Sequence, residues 1–169
     1  MHLEARPDRS YDQLSSVMLR PMASRDAAMN LFVETAWRSL SSKGVSWIGF
    51  YTANPGDAQM ILGPSRNKPA CSPIGMHGAC GRVFQSSRPL VVRDVANLGE
   101  GYIACDPNDR SEVVIPLLDG SGEAWGVLDA DSFEADAFDQ RDVEGLADAL
   151  RAGGLIHPGA DFAGETEFA

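Results

Sequence analysis

The sequence predicts an α+β domain in which helices pack on an antiparallel sheet. Two observations carry this prediction: amphipathic helices stand near both ends of the chain, and the segment between them alternates β-rich runs with turn residues. Strands joined by short turns pair as antiparallel hairpins, whereas parallel strands need long crossovers. A chain of 169 residues suffices for one sizeable core. We expect a flexible tail over 1–10, one domain over 11–155, and a disordered acidic tail over 156–169.

The first two helices are predicted near the start of the chain. Ser10 and Gln13 resemble a capping box that opens a short helix ending at Pro21. A second helix starts near Ser24. Its apolar residues recur at the three- and four-residue spacing of one buried stripe, namely Met29, Phe32, Val33, Ala36, Trp37 and Leu40.

Strands and two later helices follow from local composition. "VSWIGFYT" is rich in β-branched and aromatic residues, "NPGD" behind it is typical of a turn, and "AQMILG" is its expected hairpin partner. "RPLVVRDV" predicts another strand, and "SEVVIPLLD" and "AWGVLDADS" predict a hairpin turning at "GSGE". "ACGRVFQSS" predicts a short helix. A closing amphipathic helix follows Phe138 and ends at Gly153–Gly154.

Charge and composition exclude several functions. The net charge is −10, and no basic cluster is present to neutralise the phosphates of nucleic acid or of an anionic membrane. No apolar run approaches the roughly 20 residues of a membrane span, and the N-terminus lacks the apolar core of a secretory signal. We therefore expect a cytoplasmic protein, in which cysteines stay reduced unless chemistry oxidises them.

Two strands carry polar or aromatic residues in alternation. Asp129 and Asp131 point to the same face of their strand, which is either solvent or a pocket. In a pocket, the two like charges raise the pKa of at least one carboxyl group and favour a cationic ligand group. Trp47 and Tyr51 flank Gly49 on one face of "SWIGFY". They either form a notch open to a ligand or belong to the core.

Three cysteines remain, at positions 71, 80 and 105. The spacing of Cys71 and Cys80 matches neither C-x-x-C redox motifs nor structural zinc sites. A mixed zinc site of Cys71, His77, Cys80 and Cys105 is conceivable, and buried inert thiols are the usual alternative. All three cysteines lie beside Pro, Gly or Asp in predicted loops, which favours reactive thiols. The simplest use is an attacking thiol, a resolving thiol and a spare, without a metal.

Five motifs occur in one order along residues 24–152: "W-x-G-F-Y", "KPAC", "ACG", "IACD" followed by "SE", and "GVLDADS". In this the sequence resembles the free methionine-(R)-sulfoxide reductases, single GAF-domain enzymes that reduce the free amino acid. The resemblance implies the GAF fold, with a six-stranded antiparallel sheet and helices mainly on one side. It also implies a homodimer and no bound cofactor, with reducing equivalents supplied by thioredoxin.

The resemblance further assigns roles to individual residues. It makes Cys105 the nucleophile, Cys71 the principal resolving thiol and Cys80 an auxiliary one. The implied pocket residues are the carboxylates Glu112, Asp129 and Asp131, the aromatic wall of Trp47 and Tyr51, and the backbone at Ile103 and Ala104 beside Cys105. Free methionine-(R)-sulfoxide is then the substrate. The alternative is a non-catalytic GAF module that binds a small amino-acid-like ligand.

Overall fold

The computed structural model describes residues 8–99, 102, 105–162 and 165–169. Four α-helices are present in these residues: α1 (Asp12–Met18), α2 (Arg25–Leu40), α3 (Ala79–Ser86) and α4 (Gln140–Ala152). Seven strands form one sheet: β1 (Trp47–Thr52), β2 (Gln59–Arg66), β3 (Ile74–Gly75), β4 (Leu90–Val92), β5 (Ser111–Leu118), β6 (Ala124–Ser132) and β7 (Glu167–Phe168). Among the described helices, none is long and apolar enough to cross a membrane.

The sheet differs from the expected six antiparallel strands. Its order is β3-β2-β1-β6-β5-β4-β7, and all described pairs are antiparallel except β4 with β7, which is parallel. The seventh strand comes from the predicted disordered tail. Its Glu167 N–H donates to the Pro89 carbonyl and its side chain forms ion pairs with Arg82 and Arg88. These contacts tie the C-terminal segment to the edge of the sheet.

Two layers of helix enclose the sheet. Phe32 of α2 packs edge-on against Phe50 of β1, with ring centroids 5.6 Å apart. Helix α1 packs on both α2 and α4, so these three helices form one layer. Helix α3 packs on β5 and β6, where its Cys80 approaches Glu112. Because side chains alternate along each strand, the Phe50 face is the main core and the opposite face carries the polar residues.

The first two helices differ in how they start. Ser24 caps α2, because its Oγ accepts a hydrogen bond from the Ala27 N–H. The predicted capping box of Ser10 is wrong: Tyr11 occupies the N-cap of α1, and its side chain makes no capping bond. Tyr11 instead donates from its hydroxyl to Asp142 of α4, which also accepts from the buried guanidinium of Arg9. Arg9, within the predicted flexible tail, is thus fixed to the last helix.

Candidate active site

A cavity of about 340 Å³ lies on the α3 side of the sheet. Its floor is formed by β1, β5 and β6, and its rim by the segments that precede α3 and β5. Every predicted site residue in the described part of the chain lines it: Trp47, Tyr51, Cys71, Cys80, Cys105, Glu112, Asp129 and Asp131. Ile103 and Ala104 lie outside the described residues.

Strand register brings three carboxyl groups together on the cavity floor. Asp131 of β6 pairs with Glu112 of β5 on one side and with Trp47 of β1 on the other. Asp129, two residues earlier, shares the face of Asp131 and pairs with Gly49. Glu112 and Asp129 are only 4% and 6% exposed. Asp131 is only partly buried but lines the same cavity as Asp129, so the aspartate pair faces a pocket and not bulk solvent.

Burial and crowding keep protons on this cluster. Burial, followed by the charges of Asp131 and Glu112, raises the pKa of Asp129 well above its usual range. Burial, followed by the charges of Glu112 and Asp109, raises the pKa of Asp131 in the same direction. Carboxyl groups this close cannot all ionise, so the cluster holds at least one proton near neutral pH. It can therefore both donate a proton and bind a cation.

A disulfide joins the two rim segments. Cys71 is bonded to Cys105 across 34 positions of sequence, and their Cα atoms are 5.8 Å apart. The Tyr51 hydroxyl donates a 2.8 Å hydrogen bond to the Cys71 carbonyl, which holds this arm over β1. An ion pair between Lys68 and Asp106 links the same two segments a few residues away. Neither segment depends on the disulfide alone for its place at the rim.

The third cysteine has a different environment. Cys80 lies in the first turn of α3, within the helix predicted from Ala79 onward, and is 6% exposed. The expectation of a loop thiol is therefore wrong for this residue. Burial, with the charges of Asp129 and Glu112, raises the pKa of its thiol well above the usual range. The conceivable zinc site of Cys71, His77, Cys80 and Cys105 does not form in this state, because the disulfide occupies two of its four ligands.

The two predicted aromatic residues serve both the core and the cavity. Trp47 and Tyr51 are each 3% exposed, and their ring centroids are 6.2 Å apart. The Trp47 indole N–H donates to the Lys68 carbonyl at 3.3 Å. A Cβ at Gly49 would lie 2.5 Å from the Trp47 ring, so the glycine allows the indole to lie across the strand. Trp47 and Tyr51 therefore belong to the core and also line the cavity.

Sequence reasoning assigned no role to four charged or phenolic residues that line the cavity: Lys68, Tyr102, Asp106 and Asp109. Tyr102 donates to Glu112 at 2.7 Å, and burial raises the pKa of Asp109 to about 6. All four lie in irregular segments, where no periodic pattern indicates which way a side chain points. The one available signal was their proximity in sequence to Cys71 or Cys105.

Comparison with known proteins agrees with this geometry. A family model described as GAF domain matches residues 22–150. The free methionine-R-sulfoxide reductase (fRMsr) of Saccharomyces cerevisiae is 34% identical over 139 residues, which cover 81% of this chain and 76% of the yeast protein. The fRMsr of Escherichia coli is 36% identical over 104 residues, which cover 60% of each chain.

A solved structure extends the likeness to three dimensions. The reduced form of Staphylococcus aureus fRMsr superimposes with a TM-score of 0.78 at 29% identity, covering 89% of this chain and 97% of that one. The sequence identity to the yeast protein and the family model together place the chain. It belongs to the GAF-domain family and, within that family, to the free methionine-R-sulfoxide reductases.

Proposed function

We propose that this protein reduces free L-methionine-(R)-sulfoxide to methionine, with Cys105 as the nucleophile and Cys71 as the resolving thiol. The observation that carries the proposal is the placement of the Cys71–Cys105 pair and three carboxyl groups around one cavity. The family to which the chain belongs supports the substrate.

The cavity offers a complementary group for each part of the substrate. The carboxyl cluster of Glu112, Asp129 and Asp131 suits its ammonium group, because the members that remain ionised carry negative charge shielded from water. The apolar face of Trp47 suits the S-methyl group and selects between the two sulfoxide epimers. Backbone N–H groups at residues 103–105 suit the substrate carboxylate, as the resemblance implies.

The cluster also supplies the proton that the chemistry needs. A sulfoxide sulfur is a weak electrophile until its oxygen is protonated or strongly hydrogen-bonded. The proton held by the Asp129–Asp131–Glu112 cluster near neutral pH can be donated to that oxygen. The Cys105 thiolate then attacks the sulfoxide sulfur. In the net reaction, the sulfoxide S–O bond breaks and an S–O bond forms at Cys105. Methionine leaves, and Cys105 retains the oxygen as a sulfenic acid.

Resolution completes the redox balance. The Cys71 thiol displaces hydroxide from the Cys105 sulfenic acid, which forms the disulfide and releases water. The sulfoxide has gained two electrons and the two cysteines have lost them. The Cα separation of 5.8 Å lies in the usual range for a disulfide. A dithiol of the thioredoxin class then restores both thiols, and Cys80 is an auxiliary resolving thiol.

The proposal extends to the cellular setting. No resident cofactor is needed, because the electrons enter through the disulfide and leave through the substrate. Reduction of the enzyme by thioredoxin requires a compartment in which thiols are kept reduced, and we propose that this is the cytoplasm. We further propose a homodimer, as the resemblance implies. Sedimentation at micromolar concentration should give about twice the mass of one chain if this is correct.

The proposal is tested by following loss of free methionine-R-sulfoxide, with the S epimer in parallel, in the presence of thioredoxin, thioredoxin reductase and NADPH. R-selective consumption is the expected result. No turnover of either epimer by protein with three titratable thiols would contradict the proposal and favour a GAF module that only binds its ligand. Bound methionine in calorimetry without turnover would be the direct sign of that alternative.

A further inference from the structure

Three buried side chains from three different elements converge at the floor of the cavity. The Cys80 sulfur of α3 and one carboxylate oxygen each from Glu112 of β5 and Asp129 of β6 lie within 4.8 Å of one another. Each of these residues is no more than 6% exposed. The three are called the Cys80 triad below.

One oxygen of the Asp129 carboxyl group has no hydrogen-bond partner among the described residues. Asp129 Oδ1 is fully buried and accepts no hydrogen bond from the described residues. The side chain of Asp129 also lines the cavity, which a ligand can enter. A buried carboxylate oxygen without a partner costs free energy, and a cation bound there would remove that cost. The orphaned oxygen therefore points to a positively charged ligand.

We propose that the Cys80 triad binds a thiophilic divalent cation of the zinc class, and that this ion competes with the substrate. A thiolate with two carboxylates is a set that Zn²⁺ or Cd²⁺ accepts, whereas Mg²⁺ and Ca²⁺ require oxygen ligands in larger number. Binding of the ion is independent of the proposed function. Competition with the substrate rests on it, because the ammonium group is assigned to the same carboxylates.

The geometry needs only a small adjustment. Zinc–sulfur and zinc–oxygen bonds of about 2.3 and 2.1 Å place tetrahedral ligand atoms roughly 3.3–3.6 Å apart. The triad atoms, within 4.8 Å of one another, must therefore close by at most about 1.5 Å. Glu112 and Asp129 can provide this by side-chain rotation, since both extend into the cavity. The fourth coordination position then faces the cavity and stays open to water or substrate.

This site gives the third cysteine a second use, besides that of an auxiliary resolving thiol. The thiol relay is complete with Cys71 and Cys105, which form the disulfide between the rim segments. Cys80 is buried beneath them among carboxyl groups. As a ligand, its sulfur distinguishes soft cations from hard ones. The enzyme would then be inhibited by free zinc while it tolerates magnesium and calcium.

The binding experiment uses the Cys71→Ser, Cys105→Ser double variant, in which Cys80 is the one remaining thiol of the sequence. Zn²⁺ is titrated in competition with a chromophoric chelator, and Cd²⁺ is titrated while its thiolate charge-transfer absorption is followed in the ultraviolet. We expect one ion per chain and a cadmium–thiolate band. Mg²⁺ and Ca²⁺ at millimolar concentration should not displace the ion.

Substitutions within the triad provide the comparison. Adding Cys80→Ser should remove the cadmium–thiolate band and weaken zinc binding by about tenfold or more, and Asp129→Asn should also weaken binding. Asp106→Asn is the matched control, since Asp106 lines the cavity outside the triad; it should leave zinc affinity within about twofold. Circular dichroism confirms that each variant is folded. Zinc affinity unchanged by Cys80→Ser, or no stoichiometric binding, would overturn the proposed site.

Competition is measured by binding, so that it does not depend on turnover. Free methionine-R-sulfoxide added to the double variant should raise the apparent dissociation constant of zinc in proportion to its concentration. Zinc binding that the sulfoxide does not affect would refute the competition while leaving the site intact. Failure of the wild-type protein to reduce the sulfoxide would instead contradict the proposed function, and zinc binding to the triad would still stand.

Discussion

Tyr102 donates a hydrogen bond of 2.7 Å from its hydroxyl group to Oε2 of Glu112. This contact joins the segment before Cys105 to the buried carboxylate of β5, and thus links the nucleophile's side of the cavity to the proposed ammonium site. It also leaves Glu112 oriented toward the cavity. Apart from its proximity to Cys105, the position of Tyr102 in the chain gave no indication of this role.

Replacing Tyr102 by Phe should lower kcat/KM for the R-sulfoxide by about tenfold, because a hydrogen bond to a charged group contributes roughly 1.5–3 kcal/mol and this one is partly exposed. Steady-state kinetics with thioredoxin measure the effect. Tyr11→Phe is the matched control, since its hydroxyl contacts Asp142 away from the cavity. Equal kcat/KM for Tyr102→Phe and the wild type would contradict the account.

Tyr11→Phe should reduce stability instead. The Tyr11 hydroxyl lies 2.5 Å from Asp142 Oδ1, which also accepts from Arg9 at 3.0 Å. Loss of this buried hydrogen bond to a charged group should cost about 1–3 kcal/mol, which lowers Tm by roughly 2–10 °C in a protein of this size. Thermal unfolding followed by circular dichroism checks it. An unchanged Tm would show that the Arg9–Tyr11–Asp142 network adds nothing to stability.

Substitutions of the two disulfide cysteines should have different effects on turnover. Cys105→Ser should abolish turnover even with excess thioredoxin, because no other thiol is assigned to attack the sulfoxide. Cys71→Ser should still release one methionine per chain in a single turnover, while its steady-state rate falls by about tenfold or more. Retained turnover in Cys105→Ser would disprove the assignment of the nucleophile. An unchanged steady-state rate in Cys71→Ser would disprove that of the resolving thiol.

Asp109→Asn should make stability less dependent on pH. Burial raises the pKa of Asp109 to about 6, with Lys68 opposing and Glu112 reinforcing the shift. The folded protein therefore holds this proton more tightly than the unfolded chain does, and the free energy of unfolding falls as pH rises from about 4 to about 6. Since Asn does not ionise, the variant should gain about 1 kcal/mol at pH 7.5, or roughly 2–4 °C in Tm.

The same variant should gain nothing at pH 4, where Asp109 is protonated in the folded protein. Differential scanning at the two pH values makes the comparison, with Asp8→Asn at an exposed position as the control. A gain of equal size at both pH values would show that ionisation of Asp109 is not the cause.

Trp47→Ala should reduce the preference for the R epimer by about tenfold or more, since the indole forms the wall assigned to the S-methyl group. Because this truncation also leaves a hole in the core, Trp47→Phe serves as the milder variant and should give a smaller change in the same direction. The ratio of kcat/KM for the two epimers is the readout. If neither substitution changes the ratio of kcat/KM for the two epimers, Trp47 does not determine the preference for the R epimer.

Predictions from the sequence were correct where a regular residue pattern determines which way the side chains point. Strand alternation placed Asp129 with Asp131 and Trp47 with Tyr51, and the register of β1 against β6 then brought both pairs to one face. The predicted start of α2 near Ser24 is confirmed, because a capping side chain acts on its own helix. The pairing of Cys71 with Cys105 was different in kind, since the resemblance implied it and spacing alone did not.

Sequence reasoning failed where long-range packing decides. Ser10 has the right type for a cap, yet docking of Tyr11 against α4 sets the start of α1. Strand β7 has little strand character of its own and exists through pairing with β4. The burial of Cys80 likewise depends on how α3 lies over the sheet. These outcomes are set by tertiary contacts, which local propensity does not contain.

The central claim is that Cys71 and Cys105 jointly supply the two electrons that reduce the sulfoxide. Fully reduced protein is mixed with excess free methionine-R-sulfoxide in the absence of any reductant, and both methionine and remaining thiols are counted. The account predicts one methionine per chain, a fall from three thiols to one, and a disulfide mapped by mass spectrometry to Cys71 and Cys105. No methionine formed, with all three thiols retained, would contradict it.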